Sequence, residues 1–242
     1  MPAALAAQGL AILRQDSKQP LEIDAERGIE WNQTQRIYVA RGNVRAAQGE
    51  VAVYAEVLVA HYRDAAGGGT EVFRLDADGD VRVVSSSETA YGDRGVYDVD
   101  RGILVLTGRR LRLEATGAKI TARDSLEYWE RRQMAVARGK AHAKQGKNQL
   151  WADILSAYLH KDRQGKTAIR RIEAFDRVRL ETVQDVVVAD RALYNLDIRT
   201  AILCGSVTII RGDTKLTGQV AEVNLTSGRA RLRPGPCSFT VK

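Results

Sequence analysis

The side chains best suited to acid–base chemistry in this chain are carboxylates standing beside small residues. They occur at Ala25-Glu26, Ala55-Glu56, Gly92-Asp93, Ala152-Asp153, Ala189-Asp190 and Ala221-Glu222, and Ala122 is followed by Arg123 and Asp124. A hydrolase uses such groups as general acid and base, in one place. Here they recur along the whole chain, and recurrence points to turns or strand edges. Asp93-Arg94 and Asp190-Arg191 are duplicated in the same way and read as local ion pairs or turns. His61, His142 and His160 are far apart, and His142 stands where related segments carry Arg45 and Arg179. They do not make a metal set or a base. No glycine-rich phosphate loop, zinc spacing or nucleophile elbow is present. The expectation is a protein with no catalytic residue, no metal and no cofactor. An enzyme acting on envelope glycans would need unique, unrepeated acids, and none is found.

Two cysteines, Cys204 and Cys237, are too few for a disulfide framework. Either one bridge in an oxidising compartment or two buried thiols fits. The formal net charge of +7 favours anionic partners: nucleic acid, phospholipid head groups or phosphorylated glycolipid. The basic residues are scattered singly, with small clusters at Arg109, Arg110 and Arg112 and at Arg229, Arg231 and Arg233. Most read as solvated strand faces. Aromatic residues are only 6%, which does not suit a stacking platform for single strands, so nucleic acid is not expected as a partner. No apolar run approaches the roughly 20 residues of a membrane-spanning helix.

The elements that must position these residues are strands. Leu21 and Ile23 alternate with Glu22 and Asp24, Ile29 and Trp31 flank Glu30, and Val44 and Ala46 flank Arg45. Period two puts one face in a core and one in water. Turns are marked at Arg27-Gly28, Asn32-Gln33, Gln48-Gly49, Gly67-Gly68-Gly69, Asp78-Gly79, Arg101-Gly102, Thr116-Gly117, Gln164-Gly165, Gly212-Asp213 and Ser227-Gly228. Residues 9–14 fit a short helix or an edge strand. At the start, Ala4-Leu5-Ala6 has the small-x-small form of a signal-peptidase site, without a basic segment before it. A trimmed signal peptide and an alanine-rich tail fit equally.

A repeat organises the strands. Arg41-Gly42-Asn43-Val44-Arg45-Ala46-Ala47-Gln48-Gly49 returns as Arg138-Gly139-Lys140-Ala141-His142-Ala143-Lys144-Gln145-Gly146, an offset of 97 residues (139 − 42). Residues 39–108 and 136–205 share 22 identities in 70 ungapped positions. A shorter mark lies within: glycine or aspartate, a spacer, then apolar-polar-apolar, led by Gly42, Gly79, Gly139, Asp176 and Gly205, with a looser copy at Gly108. The acids described above form a second ladder between these marks. Each unit is a strand down and a strand back, and stacking the units makes one continuous core. Two stacked sheets that do not close completely would leave an apolar groove suited to acyl chains. Complete closure would leave a plain core.

At these residues the chain resembles the periplasmic lipopolysaccharide-transport family also known for organic solvent tolerance (LptA/OstA). Gln19-Pro20-Leu21-Glu22-Ile23-Asp24-Ala25-Glu26 is similar to the family's Gln-Pro-Ile-x-Ile-x-(small)-Asp start. Gly42-Asn43-Val44-x-x-x-Gln48-Gly49 is similar to its first glycine-led strand. Tyr97, then Val105-Leu106-Thr107-Gly108 and Lys119-Ile120-Thr121, resembles a later block. The likeness covers residues 19–134, and the repeat extends it to about 233.

The resemblance implies an all-β, elongated, twisted V-shaped β-jellyroll of stacked antiparallel strand pairs, in the periplasm. It implies a non-enzymatic carrier that binds the lipid A part of lipopolysaccharide. Its implied partners are the OstA-like domains of inner- and outer-membrane transport components, and further copies joined head to tail. Leu21 and Ile23 fall on family positions that line the groove. Parity extends the lining to Ile29, Trp31, Ile37, Val39, Val44, Val53, Val81, Val83, Val105 and Leu111. The expected division is a tail or signal remnant over 1–18, one domain over 19–236 and a tail over 237–242. Residues from about 135 are either more groove or a cap. The alternative is a β-solenoid scaffold of the cell envelope with a closed, dry core and no lipid groove.

Overall fold

The computed structural model describes residues 21–161, 167–224, 226–227 and 229–235. The expectations for residues 1–18, for Gln164-Gly165 and for Cys237 fall outside them. The alternating segments form β1 (Glu22–Asp24), β2 (Ile29–Asn32), β3 (Ile37–Gln48), β4 (Val51–Asp64), β5 (Thr70–Val84), β6 (Glu88–Asp98), β7 (Ile103–Thr107), β8 (Arg112–Ala115), β9 (Ala118–Thr121) and β10 (Ser125–Trp129). After a short 3-10 turn at Glu130–Arg132 come β11 (Met134–Gln145), β12 (Asn148–Lys161), β13 (Thr167–Glu181), β14 (Asp185–Asn195), β15 (Thr200–Arg211), β16 (Thr214–Asn224) and β17 (Arg229–Arg233). The fold is all-β and jellyroll-like.

The 17 strands form a single sheet. Rungs that follow one another in sequence pair antiparallel, and the short strands come in collinear couples. β1 and β2 both lie along β3, β7 and β8 along β6, and β9 and β10 along β11. The sheet is therefore a meander of rungs in chain order.

Each long rung is bent in its middle. The pairing register skips at Arg41/Val44 on β3, Asp78/Val81 on β5, Arg138/Ala141 on β11, Phe175/Val178 on β13 and Cys204/Val207 on β15. The glycines that announced these segments lie inside strands, at the bends. This corrects the reading of Asp78-Gly79 as a turn between strands. Gly79 (φ +83°) and Asp80 (φ +44°) are two consecutive left-handed residues, as are Gly42 (φ +78°) and Asn43 (φ +43°). Such a pair re-aims the strand without reversing it. Asp176 (φ +61°) takes the glycine position on β13, which aspartate tolerates better than other side chains.

The bends fold the sheet into two leaves that face each other. The first leaf holds β2, β7, β10 and β17, and the second holds β1, β8 and β9; the long strands contribute to both. One buried cluster runs through both leaves from Ala40 and Val44 to Val207 and Ala221. Ala141, in the second copy of the repeat, is fully buried in the same cluster. Residues beyond 135 thus continue the interior rather than starting a separate one.

Candidate functional site

The recurrent acids sit at the bends. Several lie over a left-handed pair of the neighbouring rung: Glu56 over Gly79-Asp80, Asp124 over Gly139-Lys140, Asp153 beside Asp176-Arg177 and Asp190 over Gly205-Ser206. Glu26 accepts a hydrogen bond from Asn43 Nδ2 at 2.9 Å, and Asp93 accepts one from the Arg109 backbone N–H at 2.8 Å. Arg177 pairs with Asp153. A Cβ added at Gly79 would stand 2.7 Å from the Glu56 side chain, and one at Gly108 would stand 2.6 Å from Asp93. At Gly79, Gly108, Gly139 and Gly205 the two ladders are thus one device: the acid caps the bend, and the glycine makes room for it.

Among the described residues no three His, Cys, Asp or Glu side chains group as metal ligands. His61 Nε2 lies 2.7 Å from Asp76, and His142 stacks on Trp151 at 4.7 Å between ring centroids. Cys204 is buried and disulfide-bonded. Glu127 takes hydrogen bonds from Arg138, Trp129 and Ser125. Burial works against its charge, but those donors win and hold its carboxyl below the usual range. Glu88 has no such support among the described residues. It is buried at the turn end of β6, and loss of solvent raises its pKa to about 8.

The apolar interior is the remaining site. Directly paired residues share a face, so the registers assign each side chain. In the second leaf Ile23, Ala46, Val53, Val83 and Ala90 form one row. In the first leaf Trp31, Tyr38, Ala60, Leu75, Tyr97 and Leu104 form another. Leu21, Ile23, Ile29, Trp31, Val44, Val53, Val81, Val83 and Leu111 all belong to the interior face.

Ile37, Val39 and Val105 do not. Val39 pairs with Glu30 and Val59, and Val105 with Val96 and Glu127, on the opposite face. Ile37 pairs with Asn32 and His61 on that same face. Ile37-Tyr38-Val39-Ala40 and Ile103-Leu104-Val105-Leu106 are apolar on both faces, so alternation could not choose. The bend decides. It preserves parity on β3, where Tyr38 and Ala40 precede Val44, and reverses it between β7 and β8, where Leu104 and Leu106 precede Leu111.

The interior is shut in its middle and open at its edges. Val83 is 0% exposed and Val81 1%. The gap between leaves around Val53, Leu58, Val81, Tyr97 and Leu106 has only about 10 Å³ of free volume, the threshold for one water. At the N-terminal edge, by contrast, Ile29 is 50% and Trp31 55% exposed. Trp31 is held in place there: its indole N–H donates to Tyr62 Oη at 2.7 Å, and its ring stacks on Tyr38. At the other edge Leu216 is 42% exposed. Beside it an open cleft of about 540 Å³ is lined by Val207, Thr208, Thr217, Gly218, Leu232 and Pro234. Sequence reasoning missed Leu216. Its signal was Lys215-Leu216-Thr217, a near copy of Lys119-Ile120-Thr121.

The fold and the site define a class: a bent antiparallel meander enclosing one apolar seam that reaches both of its edges. The chain belongs to the family described as LptA/(LptD N-terminal domain) LPS transport protein. That family's model matches residues 22–124 and again residues 119–229. The two matches start 97 residues apart (119 − 22), the offset of the internal repeat. Among solved structures the chain is similar to LptH, the LptA homologous periplasmic component of the lipopolysaccharide transport device from Pseudomonas aeruginosa. The identity is 15%, over 59% of this chain and 78% of that one, with a TM-score of 0.31. No curated protein matches the chain. No helix among the described residues is long and apolar enough to cross a membrane.

Proposed function

We propose that the chain is a non-enzymatic lipopolysaccharide carrier of the periplasm. It takes the acyl chains of lipid A between its two leaves. It joins end to end with OstA-like domains of inner- and outer-membrane transport components, or with further copies of itself, as part of a bridge. The observation that carries this reading is the continuity of the seam with uncovered apolar side chains at its edges. Ile29 and Trp31 stand on the interior face yet remain about half exposed. Ordinary cores do not run out into solvent on large apolar residues, and such patches mark binding sites.

Each methylene taken from water contributes roughly 0.8 kcal/mol, so several acyl chains would bind strongly. Transfer between two like seams is close to neutral, which suits a conduit. Edge strands at either end are natural templates for strand addition. Because the middle is shut, acyl chains enter only if the leaves part.

A photo-crosslinking residue placed at Leu21, Ile23 or Trp31 is expected to capture lipopolysaccharide in cells. Capture of other lipids with no lipopolysaccharide adduct would sink the reading. A second reading, the dry-core scaffold, draws support from the closed gap at Val83. A crosslinker at Val83 separates the two: the carrier gives adducts there, and the scaffold gives none.

A further inference from the structure

On the outside of the second leaf the registers align a row that the interior does not use. Arg45 pairs with Tyr54, Tyr54 with Arg82, Arg82 with Tyr91 and Tyr91 with Arg112. Across Thr121 the row continues to His142, Trp151 and Arg179. A basic side chain stands on every second rung, and most of the rungs between carry an aromatic ring. Two rungs span about 9.6 Å, so the basic residues are evenly spaced at that interval.

The rings hold the cations in place. The Arg82 guanidinium lies 4.4 Å from the Tyr54 ring centre, and that of Arg112 lies 3.6 Å from Tyr91. A stacked guanidinium loses little rotamer freedom on binding. Arg82 has no acid partner among the described residues, whereas Arg45 pairs with Asp24 at 3.4 Å, Arg112 with Glu114 at 3.1 Å and Arg179 with Glu181. Lys119 and Lys144 pair with each other one step nearer the hairpin turns, and Glu114 is the one acid beside them, shared between Arg112 and Lys119. The middle of this face is therefore cationic, and its cations reach the rim of the second leaf.

We propose that this outer face binds the phosphorylated saccharide of the same glycolipid whose acyl chains enter between the leaves. The inference rests on the carrier reading. The stacked Arg82 guanidinium, with Arg112, Lys119 and Lys144 around the single acid Glu114, complements discrete anionic groups along a sugar chain. A membrane surface fits less well. Its binding needs apolar side chains free to insert, and here the ring faces are covered by stacked arginine and histidine.

The test uses the phosphorylated oligosaccharide released from lipopolysaccharide by removing its lipid. Binding to the full chain is followed by NMR titration, alongside lipid capture by a crosslinker at Trp31. The wild type is expected to bind the oligosaccharide in a salt-sensitive way. Arg82→Gln combined with Arg112→Gln is expected to weaken it at least about tenfold, as is enzymatic dephosphorylation of the sugar. The single exposed change Arg82→Gln serves if the double variant does not fold. Lipid capture at Trp31 is expected to persist in these variants. Undiminished sugar binding in the variants would overturn the proposal, as would no sugar binding in the wild type. Binding of anionic phospholipid vesicles in place of the sugar would overturn it too. Loss of lipid capture with sugar binding intact would instead count against the carrier reading alone.

Discussion

Glu88 is the residue whose charge the fold opposes most. Its carboxyl is buried without a basic partner among the described residues, and its pKa is about 8 against 4.5 for a free side chain. Between pH 4.5 and 8 the folded state keeps a proton that the unfolded chain has lost. Stability therefore falls as pH rises through that window and levels off above it. Urea melts of wild type and Glu88→Gln are expected to diverge over that range, with the variant more stable by a few kcal/mol at pH 8.5. Parallel curves would show that the carboxyl finds a donor or water in solution. The site one repeat later explains the contrast: Asp185 occupies it and is paired with Arg211 at 2.7 Å. From sequence alone the two acids look alike, because pairing across rungs depends on a register that local pattern does not contain. Trp31 makes a second case. Its place on the interior face was legible from alternation, but its exposure was not. Trp31→Ser is expected to lower lipid capture at Leu21 several-fold while costing no more than about 1–2 kcal/mol of stability, since a half-exposed ring buries little. A large loss in a thermal melt would mean that its bond to Tyr62 organises the edge.

The bent hairpin is the element on which the fold depends. The bends were visible in the sequence as glycine-led marks at Gly42, Gly79, Gly139 and Gly205. Their nature was not, because a glycine before an alternating run signals equally a turn, a bulge or a strand start. The acids opposite were visible too, but only the folded register brings Glu56 against Gly79. Two substitutions test this joint. Gly79→Val places a β-branched side chain at φ +83° and against Glu56. It is expected to cost on the order of 2–4 kcal/mol in chemical denaturation. Adding Glu56→Ala should recover the steric part and leave the backbone part. Asp176→Gly, at the same joint one repeat later, is expected to be neutral within about 0.5 kcal/mol, because glycine accepts that φ freely. If Gly79→Val were harmless, the left-handed pair would not be what bends the strand. The failure over Ile37, Val39 and Val105 belongs at this scale as well. Ile37-Tyr38-Val39-Ala40 is apolar on both faces, so alternation offers no choice there, and for Val105 the bend before Leu111 reverses the parity that a straight strand would keep.

For the whole molecule, the all-β class, the single continuous interior and the 97-residue period were legible in the sequence, since each follows from patterns repeated many times over. The closed middle and the aligned cation row were not, since both arise from how neighbouring rungs meet. The meander has one more consequence. From β3 to β11, one full period, the chain lays down six rungs, which at 4.8 Å apiece make roughly 29 Å of seam. Every period brings the same interior face back into line, so distance along the molecule is counted in copies. The chain thus works as a ruler. A family member with a further copy would reach that much farther with no new joint, and deleting one copy in frame would shorten the span by a fixed step while leaving the remaining rungs in register.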